Sequence, residues 1–144
     1  MNKRVGEAQS WQEQRLEKAI AAVAAWQACD ITYRPVSGGI SNANWRVEVA
    51  GAPNAYFVKI PGEGTERFID RNTAHEASLK AAQTGYGAPV FAWLPELGVE
   101  IFEFMEGWRA SSNQDFQQQA VRHRALHALK SFNDQARLKQ TKTV

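Results

Sequence analysis

At 144 residues, with 44% apolar and 22% charged residues and a formal charge of +2, the chain has the composition of one globular domain with a real core. The charge is too small to argue for a nucleic-acid partner, and no apolar run approaches the roughly 18 residues of a membrane span. The basic start Met1-Asn2-Lys3-Arg4 leads into a polar stretch where a secretory signal needs an apolar one, and the lone Cys29 excludes an internal disulfide, so the expectation is a cytoplasmic protein.

Ser10-Trp11-Gln12-Glu13 is a capping-box signature, and it predicts a helix to about Cys29. Leu16, Ile20, Val23 and Gln27 form its stripe, and Cys29, beside Trp26, is expected to be a small buried hydrophobe. Ile31 to Val36 should be the first strand, with Pro35 confining it to a sheet edge or a bulge. The turn Ser37-Gly38-Gly39-Ile40-Ser41-Asn42 follows. After it, Trp45, Val47 and Val49 alternate with Asn44, Arg46 and Glu48, the period of a half-buried strand. Ala50 to Asn54 supplies turn chemistry, and Tyr56 to Ile60 is the returning strand. Lys59 stands inside that apolar run, where an ammonium is costly to bury without an anionic partner.

Pro61-Gly62-Glu63-Gly64-Thr65-Glu66 reads as a loop. A helix is predicted from Asp70 to Thr84, capped by Asp70 or by Thr73 with Glu76, and ending near Gly85 or Gly87 ahead of Pro89. His75-Glu76 opens like a zinc-protease motif, but Leu79 occupies the place of its second histidine, so that reading fails. Pro89 to Leu94 and Val99 to Phe104 form a second hairpin around Pro95 to Gly98. Met105-Glu106-Gly107-Trp108 then breaks the pattern as a connecting segment would. Ser111 to Gln114 starts a last helix with Val121, Ala125, Leu129 and Phe132 on its apolar face. His123 and His127 stand four apart on it, with no carboxylate or thiol at matching spacing, so no metal site is assigned. Residues 137–144 lack apolar periodicity and read as a frayed end or a cut.

A glycine turn, a hairpin, a strand lysine and a helix glutamate, in this order, make the phosphate-handling front of protein-kinase-like enzymes. Gly38-Gly39-Ile40-Ser41-Asn42, the run Val58 to Glu66 with Ile69-Asp70-Arg71, Glu76, Leu126-His127 and Phe132-Asn133 together resemble choline/ethanolamine kinases over about residues 31 to 135. The Gly-Glu-Gly-Thr-Glu loop followed by Ile-Asp-Arg is the most specific part. The resemblance implies an α+β fold: a kinase-like N-terminal lobe, a twisted antiparallel sheet of about five strands with one packed helix, preceded by an N-terminal helix and followed by a C-terminal one. Residues 1–30 would be the N-terminal helix, 31–108 the small lobe, and 109–144 a linker and the start of a second, truncated lobe.

The resemblance also implies roles. Ser37, Gly38, Gly39, Ile40, Ser41 and Asn42 would close over the phosphates of ATP, Lys59 would contact phosphate, and Glu76 would orient Lys59. The carbonyl of Glu103 and the amide of Met105 would hold adenine. The acceptor would be a small amino alcohol such as choline or ethanolamine, met only when a second lobe completes the site. The family's catalytic His-x-Asp and its magnesium aspartate lie in that second lobe, and none of His75, His123 and His127 is followed by Asp two places on. No catalytic residue is therefore assigned here, and the chain alone is expected to be inactive. The alternative is a non-catalytic interaction module or an inactive truncated product. Apolar residues that a second lobe would cover, Phe102, Phe104, Met105 and Trp108, suggest self-association.

Overall fold

The computed structural model describes residues 2–37, 42–64 and 70–138. Among them, strands β1 (Lys3–Arg4), β2 (Ile31–Val36), β3 (Asn42–Val49), β4 (Tyr56–Pro61), β5 (Val90–Leu94) and β6 (Val99–Glu103) form one antiparallel sheet. Their order is β1-β2-β3-β4-β6-β5. The expectation was about five strands. The sixth is the two-residue β1, whose Lys3 and Arg4 lie opposite Tyr33 and Thr32, a pairing too short to leave an alternation signal.

Helices α1 (Trp11–Ala22), α2 (Arg71–Thr84) and α3 (Gln119–Gln135) complete the fold. At the start of α1 the Ser10 hydroxyl accepts from the Glu13 amide, and the Glu13 carboxylate accepts from the Ser10 amide. The helix stops at Ala22, earlier than expected. A 3-10 turn over Ala24–Trp26 follows, and the Gln27 side chain folds back to donate to the carbonyls of Ala21 and Val23, satisfying groups that the helix end leaves open. This early stop corrects the reading of Cys29. The chain has already turned away, Ala28 takes a left-handed φ of 62°, and Cys29 is exposed.

Strand alternation gives the sheet two different faces. On one, Trp45, Val47, Val58, Ile60 and Ile101 pack beneath Leu16, Ala19, Ile20 and Val23, all buried. Trp26 extends this core by lying against Tyr56 and Phe91, with ring centroids at 5.1 and 5.7 Å. The Tyr33 hydroxyl donates to Glu17 at 2.7 Å, and burial, followed by that bond, pushes the phenol's pKa up.

The opposite face is partly covered by α2. Its N-cap is Asp70, whose carboxylate accepts from the amides of Asn72 and Thr73, and its C-cap is Gly85 with φ 84°. Gly87 then runs so close to the helix that a Cβ there would stand 2.8 Å from the Ala81 Cβ. α3 begins later than expected, after a 3-10 turn over Asp115–Gln117. Val121 and Phe132 are half-buried, but Leu129 of its expected apolar face is 57% exposed.

Candidate functional site: a charged row beside an apolar cavity

Antiparallel register places cross-strand partners on the same face. One row of the α2-covered face therefore runs Val36, Asn44, Lys59, Glu100 and Trp93, from β2 to β5. The neighbouring row runs Arg34, Arg46, Phe57, Phe102 and Val90.

Lys59 is thus flanked within its row by Asn44 and Glu100. Its ammonium lies 3.8 Å from Glu100 Oε1, while His75 Nδ1 from α2 lies 3.2 Å from Oε2 of the same carboxylate. The Glu100 side chain is only 7% exposed, and Lys59 is 33% exposed. A carboxylate buried to this degree without partners would cost several kcal/mol, on the order of the penalty for any uncompensated interior charge. Lys59 and His75 supply the compensation. The His75 ring is itself held by stacking on Trp93 at 4.5 Å with an interplanar angle of 10°. On the other side of Lys59, the Asn44 Oδ1 is buried with no hydrogen-bond partner among the described residues.

Glu76, expected to orient Lys59, follows His75 on α2 and is therefore turned by about 100° from it around the helix axis. It is half-buried and lies 4.0 Å from Lys80 in the next turn. The ion pair of Lys59 is with Glu100. Of the expected phosphate turn, Ser37 is exposed at the end of β2 and Asn42 begins β3 opposite Pro61. Gly38, Gly39, Ile40 and Ser41 lie outside the described residues.

About 7 Å along β4 from Lys59, a two-residue step on the same face, Phe57 floors a cavity of about 460 Å³. Val36 and Ser37 form one wall, Phe102 extends the floor, and Glu103 to Met105 and Trp108 form the rim. Here the backbone matters more than the side chains. The Phe104 amide donates to the Ala55 carbonyl at 2.9 Å, and the Glu103 amide donates to the Pro89 carbonyl at 3.0 Å. That alternation turns the Glu103 peptide groups away from β4. The Met105 amide donates to no backbone carbonyl among the described residues. An apolar slot with backbone donor and acceptor groups at its rim suits a flat heteroaromatic ring.

The rim is braced by charge. The Arg46 guanidinium lies 4.4 Å above the Phe104 ring and pairs with Glu48 and Glu106. Burial works against its charge, but the two carboxylates outweigh it and raise its pKa. Arg109, which also lines the cavity, holds Asp115 through two bonds of 2.6 and 2.8 Å. That guanidinium, and then the Ser112 amide, keep the Asp115 carboxyl well below the usual range. Among the described residues no three His, Cys, Asp or Glu side chains gather closely enough to hold a metal ion. No helix there is long and apolar enough to cross a membrane.

Sequence reasoning singled out Lys59, which lies in the charged row, and Glu103 and Met105, which line the cavity; it did not single out Glu100, His75 or Trp93 for this site. The signal for Glu100 was present. Like Lys59, it is a charged residue in the middle of an apolar strand.

A six-stranded antiparallel sheet carrying a packed helix over a lysine, and an apolar cavity at the strand-to-connection junction, define a kinase-like α+β fold. Among solved structures the chain is similar to a choline/ethanolamine kinase family protein from Mesorhizobium loti, with TM-score 0.62, 22% identity, and 83% of this chain matched to 37% of that one. It is likewise similar to an ethanolamine kinase from Plasmodium vivax, with TM-score 0.63 at 18% identity over 90% of this chain and 33% of that one. LicA, solved in complex with AMP, gives TM-score 0.68 at 17% identity over 94% of this chain and 46% of that one. The likeness is one of fold, and the chain spans between a third and a half of the length of these proteins. No protein-family model matches the sequence, and no curated protein matches it.

Proposed function

We propose that the chain is the nucleotide-binding lobe of a choline/ethanolamine-kinase-like phosphotransferase, which would transfer the γ-phosphate of ATP to a small amino alcohol when a second lobe completes it. The observation that carries this reading is the cavity beneath the Glu103–Met105 connection, with the Met105 amide at its rim bonded to no backbone carbonyl among the described residues, and a lysine one step along the same sheet face. Adenine would lie over Phe57 and Phe102, bonded to the Glu103 carbonyl and Met105 amide. The phosphates would run toward Lys59. The AMP bound to LicA supports a nucleotide as the occupant.

Phosphoryl transfer depends on positioning and on charge stabilisation by metal ions. The family resemblance puts the His-x-Asp and the magnesium aspartate in a second lobe, so the part proposed for this one is to bind and orient. Choline and ethanolamine should remain unphosphorylated when the chain alone is given ATP and magnesium.

The test is calorimetric titration with AMP and ADP. Ala88 lines the cavity, and Ala88→Phe should fill it and weaken both nucleotides at least about tenfold while the thermal midpoint holds. A folded wild-type chain that binds neither nucleotide at millimolar concentration overturns the reading.

A second reading, a kinase-lobe module that self-associates, is favoured by exposed apolar side chains. Trp108 is 76%, Leu126 63% and Leu129 57% exposed, on the connection and on α3. Light scattering at micromolar concentration separates the two, since a lone 16.1 kDa species speaks against association.

A further inference from the structure

We infer that Glu100 is a positioning residue of the phosphate site: its carboxylate, held in turn by His75, fixes the Lys59 ammonium, the task the sequence assigned to Glu76. The inference rests on the nucleotide-binding reading above and deepens it.

Three observations carry it. First, Glu100 is the β6 residue in register with Lys59 on β4, so the pairing is built into the sheet and needs no helix movement. Second, the carboxylate is used from both sides, by Lys59 at 3.8 Å and by His75 at 3.2 Å, and is itself buried. A buried acceptor with two fixed partners cannot turn away to solvent, so it limits where the ammonium can sit. Third, the helix residue facing the row is His75, stacked on Trp93, while Glu76 lies 4.0 Å from Lys80. The arrangement makes a chain of four groups from different elements, Trp93, His75, Glu100 and Lys59, ending two residues along β4 from the floor of the cavity.

A lysine tied to a strand is held differently from one tied to a helix. The strand partner cannot move without breaking the sheet, so Lys59 is preorganised before any nucleotide arrives. Asn44, the neighbour on the other side, has an unsatisfied buried oxygen and no charge, and it marks the direction in which the ammonium would drift if Glu100 were neutralised.

The experiment compares ADP with adenosine, which share the ring and differ in the phosphates, on the full chain carrying Glu100→Gln or Glu76→Gln. Circular dichroism checks that each variant is folded. Glu100→Gln should weaken ADP about tenfold and leave adenosine within about twofold, while Glu76→Gln leaves both within about twofold. A larger ADP loss in Glu76→Gln, or equal losses of ADP and adenosine in Glu100→Gln, overturns the assignment. If Glu100→Gln does not fold, Glu100→Asp keeps the charge and withdraws it by one methylene. The ADP-selective loss should then be about threefold, and its absence counts against Glu100.

Should the wild-type chain bind neither ligand, the nucleotide reading fails on its own. The pairing is then read by a double-mutant cycle in thermal unfolding, in which Lys59→Met reduces the effect of Glu100→Gln, the part owed to His75 remaining, and leaves that of Glu76→Gln unchanged. Additive effects of Lys59→Met and Glu100→Gln overturn the inference.

Discussion

The two faces of the central strands are a single residue apart in sequence and are held by different physics. Toward α1, Val58 and Ile101 are fully buried among apolar side chains. Toward α2, their chain neighbours Lys59 and Glu100 meet as charges, and the next row meets as an apolar cavity floor. The first face stabilises the fold by area removed from water. The second nets little, because the desolvation of buried charges offsets much of their attraction. A protein can therefore change what it binds on one face while the other keeps it folded.

That contrast can be broken by substitution. The largest expected effect is on the α1 face, where Leu16 has no exposed surface, and Leu16→Ala should cost about 3 kcal/mol in chemical denaturation. Lys59→Met leaves the buried Glu100 carboxylate with His75 alone, so it should cost about 1 to 2 kcal/mol in the same measurement, less than Leu16→Ala, and lose ADP affinity about tenfold relative to adenosine. If Lys59→Met is the more destabilising of the two, the charged face is a structural core and the contrast fails.

Next in size is Gly87→Ala, between the faces. The added Cβ would stand 2.8 Å from the Ala81 Cβ and 2.9 Å from backbone atoms that cannot yield without moving α2. A cost of about 1 to 3 kcal/mol is expected, read as a lower urea midpoint. A neutral result would show that α2 shifts freely on the sheet.

The smallest effect lies at the margin of the α1 face. The Glu13 carboxylate accepts from Lys3 at 2.7 Å and from the amides of Gln9 and Ser10, and these bonds, Lys3 first, hold its pKa near about 2 against an ordinary 4.5. Because the folded value is the lower, its contribution is present above pH 4.5 and is lost as pH falls toward 2. Between those values the thermal midpoint of wild type should fall more steeply than that of Glu13→Gln. Parallel slopes would detach Lys3 and β1 from the stability of the helix start.

What the sequence made legible follows from the same contrast. Alternation in Asn44 to Val49 and in Tyr56 to Ile60 reveals strands and their two faces because it is local. The meeting of Lys59 with Glu100 is not local. It arises because β6 pairs with β4 across α2 and β5, some forty residues later in the chain. The Lys59–Glu76 expectation came from order and spacing, which place α2 on the correct face but cannot fix which of two adjacent helix residues, His75 or Glu76, meets the sheet. Glu103 and Met105, singled out through the family resemblance, line the cavity, and what the sequence itself shows there is the break in period after Phe104. Cys29 was misread for the opposite reason. Helix propensity continues past Ala22, and the fold-back of Gln27 onto the Ala21 and Val23 carbonyls, which accompanies the helix end, has no local signal.

The two-residue strand β1 has a consequence for handling the protein. β2 would otherwise present a bare row of amides and carbonyls from Ile31 to Val36, a template on which another chain could add. Lys3 and Arg4 occupy part of that row with a strand too short to recruit another and charged on both residues, and Pro35 removes one donor further along. The far side of the sheet is guarded by other means, a bulge between Val90 and Ala92 that interrupts the ladder of β5. Trimming the first seven residues should therefore leave the apolar cavity intact and still turn the protein into one that precipitates during concentration.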